Sequence, residues 1–126
     1  MPRRNGSRPY ARLTQPLVRE HGVLRPATWD EALDRAAAGL VRRLRRARVT
    51  TFKAKDLFRA SGLSLLGVSN AHVEKDRRKI RRGKALSPLL LVRDRANGRV
   101  VIADGYHRLC AVYSFDEDAP IPCQIA

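Results

Sequence analysis

The sequence predicts a small α+β domain, a mixed sheet with helices, preceded by a basic N-terminal arm and an amphipathic helix. Three observations carry that expectation. Short apolar and β-branched runs recur after Val49, as strands do. Helical stretches with recognisable cap or stop residues alternate with them. The length of 126 residues suits one domain with a modest core.

The elements follow in order. Residues 1–27 hold Pro2, Pro9, Pro16 and Pro26 among many arginines, and read as an extended arm ordered only where Leu13, Leu17, Val18, Val23 and Leu24 dock. Thr28 and Glu31 form a capping box that opens a helix. That helix repeats Trp29, Leu33, Ala36, Leu40, Val41 and Leu44 near a 3.6-residue period, which predicts a buried apolar face. Its acids come first, and Arg42, Arg43, Arg45 and Arg46 come last, which suits the helix dipole. The domain boundary falls between residues 48 and 49.

Val49–Phe52 reads as a short strand, and Ala54–Ser61 as a helix stopped by Gly62. Asn70 caps a basic helix, His72–Arg82, which buries little beyond Val73 and Ile80 and ends at Gly83. Its cations Lys75, Arg78, Lys79 and Arg82 are candidate nucleic-acid contacts, against the plainer reading of a solvated face. Pro88 introduces the strand Leu89–Val92, and Asp94–Gly98 is a hairpin-type loop ending in Asn-Gly. Residues 99–103 form a buried strand, a helix opens with the His107-Arg108 pair in its first turn, and a last strand lies near Pro122–Ile125.

The most informative motif is Asp104-Gly105-Tyr106-His107-Arg108. A strand ends, the chain turns at Gly105, and a His-Arg pair enters the first turn of a helix. Free N–H groups and the positive end of the helix dipole meet there, which favours an anion such as phosphate. The Arg108 guanidinium adds a fork suited to phosphate oxygens. Asp104 can ligate Mg²⁺ beside a triphosphate or cap the helix, and His107 can donate to phosphate or act as an acid or base. His72 is a further site candidate. Cys110 and Cys123 sit on apolar segments and read as core.

The formal charge of +14 points to acidic partners, such as nucleotides or nucleic acid, although an arginine-rich solvated surface has the same composition. A protein partner is also open. Two cysteines without a pairing pattern suggest a reducing, cytoplasmic setting. No apolar stretch approaches the ~20 residues of a membrane span, and no signal-peptide core is present, so neither a membrane nor secretion is expected.

Two resemblances add to this reading. Leu86–Val92, Ile102–Arg108 and Ile121–Cys123 together resemble the ParB/sulfiredoxin fold over about residues 52–126, in particular small stand-alone ParB-like proteins of bacteria. The resemblance implies a nucleoside triphosphate, with Mg²⁺, held by the turn and helix start. Gly105, His107 and Arg108 carry over as phosphate-site candidates, with Asp104, Tyr106 and His72 around them. It also implies that Tyr106 stands where sulfiredoxins carry the catalytic Cys, so sulfiredoxin chemistry is not expected. The position of His72 matches a loop near the nucleotide in that fold.

Residues 12–20 and 24–33 resemble the stretch that molybdopterin-dependent oxidoreductases, such as formate dehydrogenases and nitrate reductases, carry after their iron–sulfur cysteines. A cubane cluster is held by four thiolates, and the chain has two cysteines, so neither cluster nor molybdenum is expected. Three functions stay open at this point. The chain is a phosphate-binding module, a Mg²⁺-dependent nuclease or phosphotransferase using His107 and Asp104, or a non-redox remnant of a molybdopterin enzyme.

Overall fold

The structure, a computed structural model, describes residues 14–126. It is a mixed α+β fold with four helices and two small sheets among the described residues. The chain divides into two units between Gly39 and Leu40. Part of the expected arm, with Pro2, Pro9 and Leu13, lies outside the described residues.

In the first unit the expected extended arm is replaced by a hairpin. Strands β1 (Leu17–Glu20) and β2 (Val23–Pro26) pair antiparallel, with Glu20 opposite Val23. The two turn residues, His21 at φ 48° and Gly22 at φ 84°, both take positive φ, as a tight hairpin turn of matching twist requires. The frequent prolines suggested an arm, but Pro16 and Pro26 bracket the hairpin without interrupting it. Arg25 then ties the unit together: Nε donates to Glu20, and Nη2 donates to Glu31 at the start of helix α1 (Trp29–Arg46). These contacts hold Glu20 and Glu31 below the ordinary carboxylate range. The capping box is half formed. The Glu31 amide donates to Thr28 Oγ1 at 3.2 Å, while the Glu31 carboxylate is engaged by Arg25 instead of turning back to the cap.

The apolar face expected for α1 is only partly buried. Leu44 is covered, but Trp29 and Leu33 are each 62% exposed. Periodicity reports amphipathicity, and burial needs a covering element that periodicity does not supply.

The second unit builds a four-stranded sheet in the order β3–β6–β4–β5. Strand β3 (Thr50–Lys53) runs antiparallel to β6 (Pro120–Ile125), which runs parallel to β4 (Leu89–Asp94), which runs antiparallel to β5 (Arg99–Asp104). Two prolines in a strand between two neighbours would normally cost ladder bonds. Here pairing of β6 with β4 begins only at Cys123, so Pro120 and Pro122 face β3 alone. Helix α2 (Ala54–Ser61) is stopped by Gly62 at φ 66°, whose N–H donates to Phe58 O. Helix α3 (Ala71–Arg81) is capped by Asn70, whose side chain accepts from the amides of His72 and Val73.

Two apolar clusters hold the unit. One joins Ala54 and Leu57 of α2 to Leu89, Leu91, Ile121 and Cys123 of the sheet and Leu109 of helix α4 (Tyr106–Tyr113). The other joins Val73 of α3 to Cys110 and Ala111 of α4. Helix α4 therefore packs on the sheet through Leu109 and on α3 through Cys110 and Ala111, which fixes its first turn relative to both. The expectation of a buried strand at 99–103 needs correction. β5 is an edge strand, Val101 is 52% exposed, and only Val100 and Ile102 pack against the core. Edge position is decided by strand order, a long-range property absent from a short β-branched run.

Candidate anion site at the start of helix α4

The site begins with Gly105. Its φ of +102° is a conformation that L side chains rarely adopt. A Cβ there would overlap Leu89 Cδ2 and stand 2.8 Å from Arg108 Nη2. Glycine is therefore required both by the backbone and by the packing of the turn against β4. Since Gly105 is the N-cap of α4 and has no side chain, nothing caps the helix start. The first-turn N–H groups keep their hydrogen-bonding capacity for an outside acceptor.

That start lines an open cleft of about 140 Å³ with one face of α3. From the turn come Asp104, Gly105, His107 and Arg108; from α3 come His72, Lys75, Asp76 and Lys79. Residues 72, 75, 76 and 79 fall three and four apart, so they share a helix face. The rings of His72 and His107 lie with centroids 4.9 Å apart and planes at 39°, bridging α3 and α4.

The charges in the cleft are organised in pairs. Arg108 Nη2 donates to Asp104 Oδ2 at 3.0 Å and to Pro88 O at 3.3 Å. Lys79 Nζ donates to Asp76 Oδ1 at 3.0 Å. The partners are unequal, since Arg108's side chain is 19% exposed and Asp104's is 62% exposed. The Arg108 Nε atom is buried and has no hydrogen-bond partner. Lys75 lines the same cleft and has no carboxylate within 4.0 Å among the described residues. The arrangement offers an anion free helix amides, one unpaired ammonium, two imidazoles and a guanidinium that can exchange an exposed carboxylate for phosphate.

The structure brings together His72, Asp104, Gly105, His107 and Arg108, with Lys75 and Lys79 of the basic helix. It does not bring Tyr106 into the cleft. That ring turns to the second apolar cluster, edge-on to Phe58 at 6.5 Å. Burial and a hydrogen bond with Cys110 raise its phenol above the ordinary range. Nor do Arg78 and Arg82 line the cleft. Arg78 pairs with Glu74 at 3.6 Å, and Arg82 closes the C-terminal end of α3. Asp104 does not cap α4, because its carboxylate is held by Arg108. Cys110 and Cys123 are both fully buried, and burial raises both thiols, that of Cys123 to about 11.

Asp76 is the site residue that sequence reasoning missed. It is a buried carboxylate in the cleft wall, and its signal was its place between His72 and Lys79 on one helical face. No group of three or more His, Cys, Asp or Glu side chains able to hold a metal occurs among the described residues. Comparison of the chain with known protein families, curated proteins and solved structures finds no match.

Proposed function

We infer that the chain is a phosphate-binding module of the ParB/sulfiredoxin type, which takes nucleotide or nucleic-acid phosphate at the turn Gly105–Arg108. One observation carries the reading. An uncapped helix start, set by a glycine that packing will not let change, opens into a cleft with Lys75, Lys79, His72, His107 and Arg108. The order β4, hairpin loop, β5, turn, α4, β6 supports the resemblance in fold. A phosphate entering the cleft accepts from the α4 amides, pairs with Lys75 and competes with Asp104 for Arg108.

The donor set suits an anion better than a metal ion. Asp104 sits at the turn with Oδ2 already accepting from Arg108 at 3.0 Å, so a Mg²⁺ ion there would compete with a guanidinium for the same carboxylate. The enzymatic alternative, a nuclease or phosphotransferase, draws on the close imidazoles of His72 and His107.

Thermal-shift titration with CTP, ATP and their diphosphates tests the reading. Stabilisation that grows with ligand concentration is expected for at least one of them. It should shrink in Lys75→Ala, an exposed position whose loss leaves the fold intact, and in Arg108→Ala. No stabilisation of the unaltered protein by any of the four would sink the proposal. Mg²⁺-dependent turnover that disappears in His107→Ala would replace the binding reading with the enzymatic one.

A further inference from the structure

We propose that the last turns of α1 and the β4–β5 hairpin form a second anion surface, separate from the cleft at α4, that holds the backbone of a nucleic-acid duplex. Arg43 of α1 and Arg93 and Arg95 of the hairpin line one concavity of about 410 Å³ with Leu40, Val92 and Ala126. None of these three arginines has a carboxylate within 4.0 Å among the described residues.

The contrast with α3 gives this its weight. There Glu74 alone engages Arg77, Arg78 and Arg81, at 3.3, 3.6 and 3.0 Å, and Asp76 engages Lys79. Four of the five cations of the helix that looks most basic in sequence are therefore engaged by its own acids, although the helix keeps an excess of positive charge. On the hairpin Asp94 is engaged within its own loop and makes no ion pair. Asp94 accepts from the Asn97 amide at 3.3 Å and from Asn97 Nδ2 at 2.8 Å. Like charges left together without acids repel one another, and an outside polyanion removes that cost.

The surface is also held in place. Leu44 is buried, and Gln124 Nε2 of β6 donates to Ala47 O just past the end of α1. The Arg93 amide donates to Ala126 O at 2.8 Å. The shape and chemistry select the partner. Guanidinium forks match phosphate oxygens in pairs. A concave array fits a protruding phosphate backbone, whereas a flat bilayer reaches only its rim. No aromatic side chain lines it to stack an unpaired base, so a duplex backbone is favoured over a single strand. Recognition of this kind is electrostatic and independent of sequence.

Fluorescence anisotropy with a labelled mixed-sequence duplex, over a series of salt concentrations, tests the proposal on the full chain. The triple variant Arg43→Gln, Arg93→Gln, Arg95→Gln should bind about tenfold or more weakly, and each lost phosphate contact should lower the salt slope by about 0.9. Arg95→Glu alone, at an exposed turn position, should weaken binding in the same direction and covers the case of a misfolded triple. The triple variant Arg78→Gln, Arg81→Gln, Arg82→Gln removes the same charge from α3 and should lose far less. Equal losses in the two triples would overturn the proposal, because net charge alone would then explain binding. So would tighter binding of a single strand of equal length, or binding to anionic phosphatidylglycerol vesicles with none to the duplex. Triphosphate stabilisation at the α4 cleft should persist in the Arg43/Arg93/Arg95 variant, which keeps this surface distinguishable from that site.

Discussion

Asp104 and Arg108 stand one helical turn apart and already hold each other, so the outcome at the turn depends on which of them a ligand takes. The pair is lopsided, with the guanidinium sheltered and the carboxylate in water. If phosphate displaces Asp104, Asp104→Asn removes a competitor. Phosphate affinity should then rise roughly two- to fivefold, the amount an exposed ion pair of about 0.5–1 kcal/mol withholds. If Asp104 instead held a metal, the same variant would lose nucleotide binding that depends on Mg²⁺. Calorimetric titration of both proteins, with and without Mg²⁺, separates the two. Gly105 makes a second prediction at this scale. Gly105→Ala forces a side chain into positive φ and against Leu89. It should cost about 1–3 kcal/mol from the backbone alone, more with the overlap, read as a lowered midpoint in urea.

The elements differ in how they would respond to acid. In the hairpin unit, hydrogen bonds from Arg25 depress Glu20 and Glu31 below the ordinary glutamate value of 4.5. A carboxylate with a depressed folded value stabilises the fold above its unfolded value, and that contribution fades as pH falls through the folded value. Hydrogen exchange in the β1–β2 amides should therefore accelerate below about pH 4.5, relative to the intrinsic rate, and Arg25→Gln should reduce that dependence, with Arg35 still beside both glutamates. Unchanged protection down to pH 3 in the unaltered protein would contradict it.

What could be read in advance at this scale was local. Thr28, Gly62 and Asn70 mark helix ends because caps act within three residues, and the structure finds those ends. The hairpin at 17–26 was not legible, since its turn rests on His21 at positive φ and not on Asn-Gly. The exposure of β5 and the burial of Asp76 were not legible either. The first depends on no strand pairing with the far side of β5, and the second on which element lies beside α3, and neither is written in the local sequence. The α4 turn itself was legible because glycine, histidine and arginine are consecutive. Of its second wall, His72 was named through the resemblance and Lys75 and Lys79 only as cations of a basic helix; that they meet the turn was not legible, because α3 reaches it across more than twenty residues of chain.

Across the whole molecule, the charge of +14 is distributed unevenly. On α3 Glu74 and Asp76 engage four of five cations, at the α4 cleft Arg108 and Lys79 are paired, and Arg43, Arg93 and Arg95 have no ion pair among the described residues. Total charge therefore says little about where an anion binds; the pairing of each cation decides it. Among the described residues, no helix is long and apolar enough to cross a membrane. The central claim is that phosphate is gripped at the start of α4, and amide chemical shifts report on it most directly. In a nitrogen–proton correlation spectrum titrated with a nucleoside triphosphate, the amides of Tyr106, His107 and Arg108 should move first and furthest, with Lys75 following. Saturating shifts confined to other elements, with those three amides unmoved, would contradict it.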